Sequence, residues 1–347
     1  MHTATQQSGS TGRIVCFGEL LLRLSAPGRQ LPFQSPQLDA HFGGAEGNVA
    51  ASLAILGHAT AMISALPGNA LGQACAGELR RHGVDTSAVR FADGRMGLYF
   101  LTPGAMQRAS SILYDRADSV FALTPPDAYQ WPQLLAGASR LHLSGINLAV
   151  SDNAARSALA AVRAAREAGI PICFDCNHRS KLWGARAALA PRLLSEVLAE
   201  ADVVFGNERD IALILGGEFA GNDAHENFRS AARRAFLNFP QLRMLASTSR
   251  RQHDADSLEL HGMLATRGDL LTTPAHRLTN VVDRIGAGDA FAAGLLHGLA
   301  NGTDEQAALE FAVAAACLKH SVPGDVNLLG AADMLAFLAQ DGFDVKR

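Results

Sequence analysis

Charge is scarce in this chain. Of its 347 residues only 18% are Asp, Glu, Lys or Arg, and the formal net charge is −3, so no electrostatic case exists for a nucleic-acid partner. Aromatics are sparse too, at 6% with three tyrosines and two tryptophans, and none is interleaved with a basic cluster. The five cysteines (16, 75, 173, 176 and 317) are scattered and odd in number, which argues against a disulfide framework. Cys173 and Cys176 form a C-x-x-C with no second pair to complete a zinc site, and their place across a predicted strand end reads as core rather than as a redox pair. No apolar run reaches the length of a membrane span. The opening MHTATQQSGSTGR lacks the apolar centre of a signal peptide, and residues 1–12 read as a flexible tail. The expectation is a cytoplasmic protein without nucleic-acid or membrane partners.

Several chemistry-bearing motifs are missing as well. There is no G-x-x-x-x-G-K-[ST] for a P-loop, no H-E-x-x-H, and no ligand spacing among the twelve histidines. G-x-S-x-G is absent, and no G-x-G-x-x-G follows the first apolar run; in IGAGDAF, Phe291 stands where the third glycine belongs. These absences exclude a P-loop kinase and a zinc protease of that type, and they disfavour a serine hydrolase and a Rossmann dehydrogenase.

What is present is alternation. Hydrophobic residues make up 48% of the chain, enough for a substantial core. Residues 13–24 (RIVCFGELLLRL) are an apolar run broken at Gly18-Glu19, followed by a predicted helix over 47–56, a strand over 61–65 and a helix over 72–82. Strands over 141–145, 171–177 and 202–206 precede helices over 152–168, 186–200 and 207–215, and a further strand covers 244–248. Strands alternating with helices predict an α/β fold with a mostly parallel central sheet covered on both faces. Two segments break the rhythm: Pro- and Gln-rich 25–42, and 97–122, where GLYFLTP and SSILYDR resemble a hairpin. They are expected to pair as a small β-structure projecting from a main domain over 13–340.

Ligands of such sheets lie beyond the carboxyl ends of the strands. Polar residues at predicted strand ends are Glu19, Asn147, Asp175, Asn177, Arg179, Asn207, Glu208, Ser247 and Ser249. Near the C-terminus, DRIGAGDAFAAG (283–294) sets Asp289 against Gly286 and Gly288 and then begins an alanine-rich helical stretch near Ala290. This segment admits two readings. One is a capping aspartate after a glycine turn. The other is an anion hole, because exposed N–H groups at a helix start attract negative charge. A carboxylate there would repel a phosphate unless it had another task, such as taking a proton. With the polar rim, these are the parts that phosphoryl transfer to a hydroxyl needs.

DRIGAGDAFAAG resembles the D-x-x-G-A-G-D signature of the ribokinase-like (PfkB) carbohydrate kinases, and FGGAEGNVAASLAILG (42–57) resembles that family's Gly-Gly-x-x-x-N segment. The resemblance covers roughly residues 13–340. It implies a three-layer α/β/α ribokinase-like domain with a small β lid (about 25–42 and 97–122), and ATP and Mg²⁺ as cofactors. Within the family, GGAEGN, GLYF, ILYDR, FDCNHRSKLW (174–183) and LKHSVPGDVN (318–327) resemble segments of the 2-keto-3-deoxygluconate kinases. That resemblance implies Asp289 as the base on the acceptor hydroxyl and Gly286, Ala287 and Gly288 as the anion hole. It implies Gly44, Asn48, Tyr99, Tyr114, Arg116 and Arg179 as holders of a sugar acid. Asn177, Asn207, Ser247 and Ser249, with Gly286 and Gly288, would serve the nucleotide, with no metal ligated directly by protein. The lid's strand edges suggest a homo-oligomer, a dimer paired through the lid.

A sugar acid carries a carboxylate, which suits a guanidinium able to bind two oxygens; Arg116 and Arg179 are the candidates, and each alone also reads as a surface ion-pair residue. Tyr99 and Tyr114 are two of the three tyrosines and also read as cross-strand packing. Two departures from the family pattern stand out. Asp210 occupies the position of a family glutamate in N-E-R-D, a segment that also reads as a capped helix start. STSRRQHDADSLELHG (247–262) is longer and more polar than the family's glycine-containing loop; it is expected to be a loop, with Arg250 and Arg251 near the ATP phosphates. The rival readings are a family kinase for fructose, ribose, a nucleoside or 5-keto-2-deoxygluconate, and a non-catalytic sugar-binding regulator.

Overall fold

In the computed structural model, which describes residues 12–339, the apolar runs become strands of two sheets; the expected tail, apart from Gly12, lies outside the described residues. In chain order the strands are β1 (Arg13–Phe17), β2 (Leu21–Ser25), β3 (Asp39–Gly43), β4 (Thr60–Pro67), β5 (Val89–Ala92), β6 (Gly97–Thr102) and β7 (Ser111–Asp115). They continue with β8 (Ala138–Ser144), β9 (Ile172–Asp175), β10 (Val203–Phe205), β11 (Met244–Gln252), β12 (Leu258–Thr266), β13 (Leu270–Thr272) and β14 (His276–Leu278).

The larger sheet has the order β13-β12-β11-β10-β9-β8-β1-β4-β5, with β14 beside β12. From β5 to β11 the pairings are parallel, and they turn antiparallel beyond β11. Every residue of β4, TAMISALP, is buried, as a strand covered on both faces requires. One face packs against the helices Asp152–Glu167, Ala190–Leu198 and Ala224–Asn238. The other packs against Ala45–Ile55, Ala287–Ala300 and Glu305–Lys319. The result is the expected three-layer α/β/α architecture. Among the described residues no helix is long and apolar enough to cross a membrane.

The second sheet has the order β3-β2-β6-β7. It draws on residues 21–24, which lie outside the segments expected to form it, while 26–38 contains no strand. The apolar run of 13–24 therefore divides. β1 is almost wholly buried and belongs to the main sheet, whereas β2 alternates buried and half-buried residues, as a strand with one covered face does. Gly18, Glu19 and Leu20, all buried, carry the chain between the two sheets.

The 247–262 segment is likewise not a loop. β11 runs on to Gln252 and pairs antiparallel with β12 from Leu258, giving a polar hairpin. Its tip is closed by Asp254, whose carboxylate accepts from Asp256 N (2.7 Å) and Ser257 Oγ (2.7 Å), the usual role of an aspartate in a turn. The tip reaches the second sheet, where Ala255 N donates to Met106 O at 2.8 Å and Arg29 pairs with Asp256 at 2.9 Å. Helix boundaries also shift. The 45–55 helix starts two residues early, the 287–300 helix starts at Ala287, and 184–189 forms a 3₁₀ turn ahead of Ala190–Leu198.

Candidate active site

Asp289 lies in the first turn of Ala287–Ala300 and is buried. The helix is entered through Gly286 in the left-handed conformation (φ 81°), and a Cβ there would stand 1.8 Å from the carbonyl of Asp325. Only glycine fits that approach. Gly288, two residues on, is exposed, and a Cβ there would meet nothing within 4 Å, so the first turn of the helix is open on that side.

Asn48 donates to Asp289 Oδ2 at 2.6 Å. Its helix, Ala45–Ile55, is capped by Gly44 at φ 138°, where a Cβ would lie 2.3 Å from Glu19 O. The end of β1 and two helix starts thus converge on one carboxylate. Burial pushes Asp289 up to about 6, against the pull of the Asn48 bond.

Further carboxyls crowd the same rim. Burial, then the charge of Asp289, pushes Asp175 up to about 8. Burial likewise pushes Glu46 up to about 7, although Ser144 stabilises its charge; Asn147 donates to Glu46 Oε1 (3.1 Å) and to Phe17 O (2.8 Å). Asn177, at φ 39°, wraps onto Asp175 through its backbone and side-chain amides. Asn207 caps Glu208–Leu215 and forms a reciprocal capping box with Asp210. The shorter acid therefore still closes the box, and burial raises it as well.

On the second sheet, ladder pairing puts His41, Arg23, Tyr99 and Tyr114 in one row. Arg23, buried in what reads as an apolar run, bonds Asp325 at 2.8 Å and Asp283 at 2.5 Å. Tyr99 Oη donates to Asp325 Oδ2 at 2.5 Å. Asp283 also accepts from the backbone of Ile285 and Gly324, at 3.0 Å each. Since Asp325 O is the atom pressed against Gly286, this network ties the second sheet to the glycine turn. Lys319, fully buried with Nζ donating to Val322 O at 2.9 Å, lies behind it. Arg23, Asp283, Asp325 and Lys319 were not singled out from the sequence, though Asp283, Lys319 and Asp325 stand inside the quoted motifs.

Arg116 is buried rather than on the surface. Its Nε (2.8 Å) and Nη2 bond Glu19 Oε2, Ser119 donates to Glu19 Oε1, and the guanidinium lies 5.8 Å from the centre of the Tyr114 ring. Tyr114 and Tyr99 have ring centres 6.3 Å apart. Arg179 is exposed and has no ion pair among the described residues, and its charge acts on both Asp175 and Asp289.

Ser247 and Ser249 do not join this group through their side chains. They pair with Met263 and His261, on the face covered by Ala224–Asn238. Thr248, opposite Gly262, faces the Glu305–Lys319 helix, since a Cβ on Gly262 would lie 2.5 Å from Val313. Arg250 shares the face of Thr248, while Arg251, opposite Glu259, shares that of the serines. Ser247, Ser249 and Arg251 thus stand on the opposite face of β11 from Thr248 and Arg250.

The sequence model described as pfkB family carbohydrate kinase matches residues 11–236 and 261–330. A 2-dehydro-3-deoxygalactonokinase of Haloferax volcanii is 31% identical, over 92% of this chain and 94% of its own. A 2-dehydro-3-deoxygluconokinase of Dickeya dadantii is 28% identical over 86% of this chain and 91% of its own. Among solved structures, the 2-dehydro-3-deoxygluconokinase of Thermotoga maritima superposes with a TM-score of 0.90 at 34% identity, covering 94% of this chain and 99% of that one.

Proposed function

This chain belongs to the pfkB family of carbohydrate kinases, and from that premise we propose that it transfers the terminal phosphoryl group of ATP to the terminal hydroxyl of 2-keto-3-deoxygluconate or its galactonate epimer, giving the 6-phosphate. The observation that carries this reading is Asp289: a buried carboxylate pushed up to about 6, held by Asn48, in the first turn of a helix whose start faces open space. A base with that poise is ionised at neutral pH yet accepts a proton readily. Asp289 orients the acceptor hydroxyl and takes its proton. The N–H groups around Gly286, Ala287 and Gly288 stabilise charge on the transferring phosphoryl.

The sugar acid is held between Gly44, Asn48, the tyrosines Tyr99 and Tyr114, and the guanidinium groups of Arg116 and Arg179. Glu19 fixes Arg116 through two of its nitrogens, so that arginine meets its ligand in one orientation. Arg179, without an ion pair among the described residues, is suited to supply the net charge that favours an acid over a neutral sugar.

The donor set fits ATP with Mg²⁺. The open helix start suits phosphate oxygens, and the raised carboxyls of Asp175 and Asp210 beside Asn207 are hard oxygen donors in a region of excess negative charge. Asp175, Asp210 and Asn207 would hold the Mg²⁺ that accompanies the nucleotide. When bound, the ion supplies charge neutralisation to the phosphates. The outer face of the second sheet sets Leu24, Phe100 and Leu113 in register, with Leu113 67% exposed. That face supports a homodimer paired through this sheet.

The test is ADP release with MgATP against 2-keto-3-deoxygluconate, its galactonate epimer, gluconate, fructose, ribose and adenosine. Turnover confined to the two keto-deoxy acids is expected. Turnover with a neutral sugar would overturn the acid assignment, and none with any would overturn the kinase reading.

A further inference from the structure

The Ala45–Ile55 and Ala287–Ala300 helices run side by side and are joined at both ends. At their starts Asn48 bonds Asp289. At the other end His58, three residues past the first helix, meets His297 in the last turn of the second, and His58 Nε2 lies 2.8 Å from His297 Nδ1. The two rings stand at 78° to each other. The His297 ring is also stacked on Phe311, with centres 4.8 Å apart, which fixes its plane. Both histidines are half-buried, within reach of water and small ions.

Neither ring faces a carboxylate: among the described residues the histidines paired with acids are His82 and His253. Burial holds both imidazoles below their usual range, His297 at about 4, with the charge of His58 adding to the effect there. At pH 7 they are neutral, the form that ligates metals. A hydrogen bond between neutral rings uses one N–H and one lone pair. If that proton moves to the outer nitrogen of its own ring, two lone pairs share the gap, and tilting of the rings points both at one ion. Metal–imidazole bonds of about 2.0–2.1 Å set two nitrogens about 2.9 Å apart at a right angle and about 3.3 Å apart at the tetrahedral angle. The observed 2.8 Å matches the right angle, which square-planar and octahedral Cu²⁺ and Ni²⁺ adopt. Zn²⁺ would need the nitrogens to part by about half an ångström.

We propose that His58 and His297 chelate a divalent first-row transition ion, Cu²⁺ or Ni²⁺ ahead of Zn²⁺, and that this ion staples the far ends of the two helices whose starts meet at Asp289. Water completes the coordination, beside the exposed Asn301 amide 3.2 Å from the His297 ring. Among the described residues the group holds no third His, Cys, Asp or Glu side chain. Mg²⁺ is not its occupant, since that ion takes oxygen ligands. Each helix supplies one ligand, so the ion binds only the folded chain and stabilises it. The site is separate from the glycine turn and does not depend on the kinase reading.

The experiment is titration with Cu²⁺ followed by electron paramagnetic resonance, with Mg²⁺ present throughout, and thermal melts with and without Ni²⁺. One tight equivalent of Cu²⁺ coupled to two imidazole nitrogens is expected, and Ni²⁺ should raise the Tm. His58→Ala and His297→Ala should each weaken Cu²⁺ at least about tenfold and abolish the Ni²⁺ effect. His58→Ala, beyond the helix end, tests the site even where His297→Ala fails to fold. His225→Ala, in the stacked pair with His261, and His2→Ala should change neither readout. A parent spectrum without nitrogen coupling overturns the site, as does unaltered Cu²⁺ affinity in folded His58→Ala. So does an equal loss in His225→Ala or His2→Ala.

Discussion

Replacing Asp289 by Asn should slow the enzyme and stabilise the protein at once. The carboxyl moves from 3.8 to about 6 on folding, mainly through burial. At about 1.4 kcal/mol per pKa unit, the charged form is worth about 3 kcal/mol less to the native state than the neutral one. The folded pKa lies above the unfolded one, so the native state holds the extra proton between about pH 4 and 6. The carboxylate therefore costs nothing below about pH 4, progressively more up to about 6, and its full amount above. The amide of the variant would keep the shape and an acceptor for Asn48 without the charge. Urea unfolding at pH 8 should show the variant more stable by on the order of 2–3 kcal/mol, with the advantage gone near pH 4. Turnover should fall by roughly 10²–10⁴-fold, and in the parent kcat/KM should decline as pH drops below about 6. Near-parental turnover in Asp289→Asn would refute the base assignment. A stability gain of equal size at pH 4 and pH 8 would refute burial of the charge as its source.

Other outcomes follow from individual contacts. Gly286→Ala should lower both stability and activity, because its Cβ would lie 1.8 Å from Asp325 O at a φ of 81°; denaturant midpoints and turnover check this together. Gly288→Ala should fold normally, with open space at its Cβ, yet weaken ATP binding by crowding the helix start, which titration calorimetry reads. Arg23→Met would leave Asp283 and Asp325 buried without their cation and should cost about 3–5 kcal/mol. Adding Asp325→Asn should recover part of that loss in urea unfolding. Leu113→Asp, on the exposed face of the second sheet, should convert a dimer to a monomer in light scattering while preserving the fold.

Gly286 and Gly44 were legible because their backbones tolerate no other residue, and such demands leave a short, fixed pattern in the chain. The α/β layering was legible from alternation for the same local reason. Arg23 was not, since its partners Asp283 and Asp325 lie far along the chain and a lone arginine in an apolar run carries no local sign of them. The β11–β12 hairpin was hidden by the polarity of β11, whose last three residues are exposed and carry none of the apolar alternation that marks a strand. Ser247 and Ser249 show what a strand expected only over 244–248 leaves open: one residue of parity decides which face a side chain serves.

The buried link through Gly18, Glu19 and Leu20 has a mechanical consequence. It behaves as the spine of a book, because Glu19 is bound to Arg116 and Ser119 and Gly44 leaves no slack against Glu19 O. Among the described residues the far edges meet at the bond from Ala255 N to Met106 O, at the bond from Met106 N to Asp256 Oδ2, and at the partly exposed Arg29–Asp256 pair. Of the ties between the two sheets, this clasp is the exposed one, whereas the spine and the Arg23–Asp283–Asp325 network are buried. A cross-link between positions 106 and 255 should hold these edges together without touching Asp289, Asn48 or the glycine turn, and slowed turnover in the cross-linked protein is the expected outcome.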